Sequence, residues 1–204
     1  MDPEVSSDLG LWLLVAAVPL VLAAATAFAK VTVVLTALRT GLGAQLLLPV
    51  GVVLALGLVV TGVIMAPTGV EVATAVGDVG GPRTLLDADL ATWREVATPL
   101  LSFLERHASA DELEYFAELQ GQPTGHPLVL VPAFLVTELT EALTMAVLLI
   151  VPFVLVDLVV AQVLVLLSMP QVSVGTVALV PKILLFLFAG GWDVVLGGIV
   201  EGYL

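Results

Sequence analysis

One carboxylate, Asp157, lies at the centre of a long apolar stretch, residues 141–167. As a helix, this stretch would be roughly 40 Å long at about 1.5 Å per residue, so it could cross a ~30 Å hydrocarbon core with a tilt or a bend at Pro152. An ionised carboxylate at mid-span costs about 2.5–3.5 kcal/mol on insertion scales. Asp157 is therefore expected to face protein or water and to have a partner.

Lys182 is the cation that the sequence offers to Asp157, because residues 128–204 contain no other lysine or arginine. A hairpin at residues 168–171 would set the segment that carries Lys182 against the segment that carries Asp157. Opposite charges neutralise each other in apolar surroundings. An ion pair within one chain is therefore predicted.

Two further carboxylates, Glu138 and Glu141, lie at the start of the same segment. At 100° per residue, Glu141 shares a helical face with nearby threonines, and Glu138 is rotated by roughly 100° from that face. These threonines are Thr137, Thr140 and Thr144. Such carboxylates can mark an ion or proton path, which would need Asp157 aligned with them, or they can cap and pair within an oligomer. Both interpretations stay open here.

The sequence gives no support to metal binding or enzymatic catalysis. It has no cysteine, which excludes disulfides, thiolate ligands and cysteine nucleophiles. His107 and His126 are nineteen residues apart and lack the spacing of paired metal ligands. No nucleophile, base and orienting group occur together, and no phosphate-binding loop is present. We predict a protein that is not an enzyme and has no metal and no cofactor.

The composition is that of an integral membrane protein. Of 204 residues, 60% are hydrophobic and 12% are charged, outside the usual balance of a soluble domain. The formal charge of −12 argues against nucleic acid and against docking on anionic lipid head groups. The predicted fold is all-α, with about four long apolar helices arranged as hairpins and a small soluble helical insertion.

Four regions follow along the chain. An acidic N-terminal segment, 1–10, precedes an apolar run that lacks the basic start of a secretory signal and is read as retained. The first apolar hairpin is 11–67, the soluble insertion is 68–127, and the second apolar hairpin is 128–204. The second apolar segment is expected to stop at Met65-Ala66-Pro67.

The insertion is predicted to be a helical hairpin. Apolar residues recur at helical spacing after possible caps at Asp87 and Asp89, and a capping box at 109–112 would open the second helix. Four apolar segments place both termini on one side of a membrane. The connection after Lys30 and Arg39 is then the inner one, and the acidic ends and the insertion lie outside.

The order of short motifs resembles that of the FliP/SctR family, the core export-gate subunits of bacterial flagellar and type III secretion systems, over nearly the whole chain. The matching motifs are Ala27-Phe28-Ala29-Lys30-Val31, Leu38-Arg39-Thr40-Gly41-Leu42-Gly43, Met65-Ala66-Pro67, the pattern from Pro99 through Arg106 to Leu119, Leu130-Val131-Pro132-Ala133, Thr137-Glu138-Leu139, Pro152-Phe153, Asp157-Leu158-Val159, Lys182 and Gly191-Trp192-Asp193.

The resemblance implies a homo-oligomeric ring, usually pentameric, in the bacterial inner membrane and projecting toward the periplasm. It would join FliQ/SctS-like and FliR/SctT-like subunits and FlhB/SctU- and FlhA/SctV-like export components, and would conduct unfolded proteins. It also implies a pair between Arg106 and Glu138 and places four residues in subunit packing. These four are Lys30, Arg39, Trp192 and Asp193.

One departure from the family concerns the pore constriction. The family's run of three methionines is reduced to Met169-Pro170-Gln171, and the prolines that often follow are replaced by Ser173 and Val174. A constriction at this turn is still expected, with less methionine packing. An ion- or proton-coupled carrier that uses Asp157 and the two glutamates is the main alternative function, and a purely structural assembly factor is the third.

Overall fold

The computed structural model describes residues 23–81, 84–86 and 88–203, and the regular structure in these ranges is helical throughout. The helices are α1 (Phe28–Leu42), α2 (Val50–Asp78), a 3₁₀ turn (Thr84–Leu86), α3 (Leu90–His107), α4 (Ala110–Gln120), α5 (Pro127–Leu166), α6 (Val174–Phe188) and α7 (Gly191–Glu201). The predicted all-α class is confirmed for this part of the chain.

Two of these helices are long and apolar enough to cross a membrane. They are α2, with 29 residues, and α5, with 40. The pair α6 and α7 forms a third candidate span, bent by 62° at the break between the two helices. The described residues thus hold two or three of the roughly four apolar helices predicted, and much of the first predicted segment, 11–22, lies outside them.

The predicted end of the second apolar segment at Pro67 is wrong, because α2 continues through Pro67 to Asp78. A proline inside a helix removes one hydrogen bond and costs about 3 kcal/mol in water. In an apolar environment, neighbouring groups can satisfy the freed carbonyl, and leaving the helix would expose still more backbone. Residues 68–78, predicted as the start of the insertion, therefore belong to α2.

Asp89 begins α3 as predicted. Its carboxylate accepts hydrogen bonds from the backbone N–H of Thr92 at 2.9 Å and from the Thr92 hydroxyl at 2.7 Å. These bonds, the backbone one first, lower the pKa of Asp89 below its ordinary value. The second possible cap, Asp87, lies outside the described residues.

The capping box predicted for α4 is wrong in its hydrogen bonding. Ser109 holds the N-cap position, but within the described structure its side chain makes no capping bond. Its backbone N–H instead donates to the Thr137 hydroxyl of α5 at 2.9 Å, and that hydroxyl donates to the Ala133 carbonyl. A tertiary contact thus replaces the local one. At the other end, α4 stops at Gly121, which has a φ of 60°.

The chain divides into two compact units. The first consists of Thr61–Glu138 and the N-terminal residues up to Ala29; the second consists of Lys30–Val60 and Leu139–Leu204. The predicted domain boundaries at 10, 67 and 127 stay predictions.

The core of the first unit forms where α3 meets the start of α5. The Phe103 and Phe134 rings pack edge to face with centroids 5.7 Å apart, and Phe103 also contacts the His107 ring at 4.4 Å. The His107 ring nitrogen Nδ1 lies 2.8 Å from the Phe103 carbonyl oxygen, which completes the last turn of α3. These contacts fix the two helices against each other.

The core of the second unit depends on close helix approaches at glycines. A Cβ atom at Gly41 of α1 would lie 2.8 Å from the Phe153 ring of α5. At the junction of α6 and α7, Gly190 has a φ of 64°, and a Cβ at Gly191 would lie 2.2 Å from the Phe186 ring. Glycine is needed at both junction positions, one for its backbone conformation and the other for space.

Gly191→Ala should lower the free energy of unfolding by about 1–3 kcal/mol, because the added methyl overlaps a packed ring. Gly197→Ala in the same helix is the matched control, since a Cβ there meets nothing within 4 Å. That change should be neutral or stabilise by up to about 1 kcal/mol through helix propensity. Denaturant unfolding in detergent, followed by circular dichroism, would show the difference. Equal midpoints would contradict this packing.

Candidate functional site

The structure brings Asp157 and Lys182 together within one chain. Lys182 Nζ donates to Asp157 Oδ2 at 2.6 Å. Asp157 precedes the end of α5 by nine residues, and Lys182 follows the start of α6 by eight, so both lie at the same height above the turn that joins the helices. The lysine side chain is only 6% exposed, whereas that of Asp157 is 38% exposed.

The second carboxylate oxygen of Asp157 has a different environment. Oδ1 is shielded from solvent and has no hydrogen-bond partner among the described residues. Leaving a buried acceptor without a donor costs about 1–3 kcal/mol, and more when it is charged. The single chain therefore leaves one demand of this ion pair unmet.

A second buried ion pair joins α1 to α5, and sequence reasoning missed it. Lys30, which is 1% exposed, donates through Nζ to Glu141 Oε2. The same ammonium group lies 4.6 Å from the centroid of the Tyr203 ring. The signal that could have found this pair is the argument used for Asp157, since Lys30 is also a cation within an apolar helix and requires an anion.

Arg39 holds the connection between α1 and α2. Its guanidinium donates through Nε to the Leu48 carbonyl and through Nη2 to the Gln45 carbonyl at 3.2 Å. Gly43, with a φ of 71°, provides the reversal that turns these carbonyls back toward the arginine. These contacts lie within one chain, so a role for Arg39 in subunit packing stays a prediction.

Arg106 and Glu138 differ in burial. Arg106 lies in the last turn of α3 and is exposed, whereas Glu138 in α5 is only 1% exposed. The predicted pair between them concerned neighbouring copies, so it also stays a prediction.

The turn Met169-Pro170-Gln171 lies between α5 and α6 with all three residues exposed. Ser168 enters the turn with a φ of 58°, and the Met169 N–H donates to the Leu164 carbonyl at 2.9 Å. Apolar side chains at this end of α5 are open as well, with Leu166 82% exposed. This turn is therefore an apolar tip without cover in the single chain.

Trp192 and Asp193 lie in the first turn of α7, and both are exposed. The Trp192 ring packs edge to face on Phe186 with centroids 5.4 Å apart. Among the described residues, no group of three His, Cys, Asp or Glu side chains could hold a metal ion. The chemistry of this chain therefore consists of paired charges, an apolar tip and exposed apolar helices.

Comparison with known proteins gives these features a context. The sequence profile described as the FliP family matches residues 11–199. The chain belongs to the FliP family. Within it, the chain is 32% identical to virulence protein YscR of Salmonella typhimurium, with 96% of this chain and 95% of the relative covered.

Two other relatives are similar over comparable lengths. Hypersensitivity response secretion protein HrcR of Ralstonia nicotianae is 33% identical, with 93% of each chain covered. Flagellar biosynthetic protein FliP of Caulobacter vibrioides is 32% identical, with 95% of this chain and 74% of the relative covered. The resemblance to the FliP/SctR family seen in the sequence motifs is confirmed.

Removal of one partner of the Asp157–Lys182 pair should destabilise this FliP-family protein more than removal of both. Asp157→Asn or Lys182→Gln alone leaves one buried charge without its partner, at a cost of about 1–3 kcal/mol, reduced because Asp157 is partly exposed. The double variant should recover at least half of that loss.

Unfolding midpoints in detergent would measure this coupling. Glu201→Gln, which removes an exposed carboxylate at the end of α7, controls for the change in net charge. A double variant no more stable than either single variant would refute the pair.

Proposed function

We propose that this chain is a core subunit of the export gate of a bacterial type III secretion system, flagellar or injectisome. Several copies would form a channel that conducts unfolded proteins. The observation that carries the proposal is the FliP-family match over residues 11–199, with relatives named for flagellar biosynthesis and for secretion. The channel itself neither makes nor breaks covalent bonds, which fits side chains that form ion pairs.

Assembly into a multimer is supported by what one copy leaves uncovered. Most of the apolar surface of α2 and α5 is exposed in the single chain. In addition, Asp157 Oδ1 is buried without a donor. Neighbouring subunits can cover apolar helices as lipid does, and they can also supply the donor, which lipid tails cannot.

The partners in this proposal are further copies of the chain, most simply five, with FliQ/SctS-like, FliR/SctT-like, FlhB/SctU-like and FlhA/SctV-like components. The assembly would lie in the bacterial inner membrane and project toward the periplasm. Native mass spectrometry of the chain, co-expressed with the membrane proteins encoded beside it, would count the copies of each subunit.

The alternative, an ion- or proton-coupled carrier, gains no support from the geometry. Such a carrier would use Asp157, Glu138 and Glu141. However, Asp157 and Glu141 each bind a lysine, so neither carboxylate is available for a second cation without first losing its partner. Reconstitution of the chain alone would separate the two functions, since a carrier transports without the other components.

The first prediction from this function concerns the pore. Met169→Ala with Gln171→Ala should raise the ion conductance of the reconstituted complex in the absence of substrate, because the turn would line the narrowest point of the ring. Pro170 should still stiffen this turn by fixing its φ near about −65°. The control is Gln122→Ala, an exposed position after α4. Unchanged conductance in an intact complex would place the constriction elsewhere.

The second prediction concerns the contact between copies. Cysteines that replace Arg106 and Glu138 should crosslink between subunits in the assembled ring, because a buried carboxylate next to an exposed arginine of the next copy would gain a cation. The chain has no natural cysteine, so no background crosslink arises. A crosslink that forms equally in dilute monomer would contradict an intersubunit pair.

A further inference from the structure

Helix α7 is fixed differently at its two ends. It begins at Gly190, whose φ of 64° makes the 62° bend from α6. It ends beside the buried Lys30 of α1, against which residues 202 and 203 pack. A helix with a glycine bend at one end and a small set of contacts at the other has the construction of an arm that can swing as one body.

The contacts at the far end all converge on one ammonium group. Lys30 Nζ binds Glu141 of α5 and lies 4.6 Å from the Tyr203 ring centroid. A cation over an aromatic face is attracted by the ring, and more strongly when water is excluded, as it is for a side chain that is 1% exposed. One lysine thus connects α1, α5 and the C-terminal end of α7.

Gly202 is the residue that permits this approach. A Cβ atom there would lie 2.8 Å from Lys30 Nζ. Beside the lysine is a pocket of about 270 Å³, lined by Lys30, Thr140, Glu141, Thr144, Met145, Gly198 and Gly202. This space leaves the end of α7 unpacked on one side, so that its hold depends on the lysine more than on close packing.

We propose that residues 202 and 203 form a latch with Lys30, which holds α7 in the closed arrangement, and that release of this latch accompanies opening of the gate. The inference rests on the proposed channel function for its second half. The helix that would move is joined through Gly190 to α6, which carries Lys182 and leads back to the turn at 169–171. Release at Lys30 therefore reaches the pore turn through a single bent helix pair.

Glu141 keeps the released state possible. If Tyr203 leaves, Lys30 retains its carboxylate partner, so the ammonium group is still compensated. The latch can therefore open without leaving an isolated buried charge. A direct ion pair between Lys30 and α7 would be far harder to break.

Hydrogen exchange of the full-length protein in detergent tests the latch itself. Tyr203→Leu removes the ring face and should raise the exchange rates of amides 198–203 by about two- to thirtyfold. Tyr203→Phe keeps the face and should change them little. Gly202→Ala displaces the ammonium group and should act like Tyr203→Leu, whereas Gly197→Ala, with open space around its Cβ, should not.

Conductance of the reconstituted complex tests the link to the gate. Leak that rises in Tyr203→Leu and Gly202→Ala, but not in their matched controls, supports the proposal. Unchanged exchange in both latch variants overturns the latch, and faster exchange with unchanged leak overturns its role in opening. Failure of the channel function is distinguishable, since wild-type complex and the variants at Met169 and Gln171 would then show no conductance, whatever the exchange.

Discussion

Compensation of charge in apolar surroundings is the constraint on which the rest of this structure depends. Two lysines lie almost completely buried, and each reaches a carboxylate on α5, one near its middle and one nearer its start. An unmatched charge at such a site costs several kcal/mol, which exceeds what most single apolar contacts return. The two ion pairs therefore fix which helices are neighbours: α6 beside α5 through Lys182, and α1 beside α5 through Lys30.

The sequence was sufficient for the first of these pairs because of distance along the chain. Asp157 and Lys182 are separated by one short turn, so a hairpin brings them together with few alternatives. Lys30 and Glu141 are separated by more than half of the chain, and periodicity carries no information about contacts at that range. The family resemblance was recoverable because it rests on many short motifs in order, each weak by itself.

Local signals failed where a tertiary contact or an apolar environment competed with them. Pro67 stops a helix in water, but within a long apolar helix the loss of one hydrogen bond is smaller than the cost of exposing several backbone groups. Ser109 fits a capping box, but its N–H has a better-placed acceptor in the Thr137 hydroxyl. Asp89, which has no such competitor, caps its helix as the local rule predicts.

The length of α5 has a consequence for the life of the protein before assembly. Forty residues make a helix of about 60 Å, twice the thickness of a ~30 Å hydrocarbon core, and it is apolar along most of that length. A newly made copy thus has no single environment that covers this helix from end to end, since water, lipid and its own fold each leave part of it open. Its synthesis has to be matched in time and number to that of the subunits that cover it, and any surplus copy is a substrate for membrane quality-control proteases.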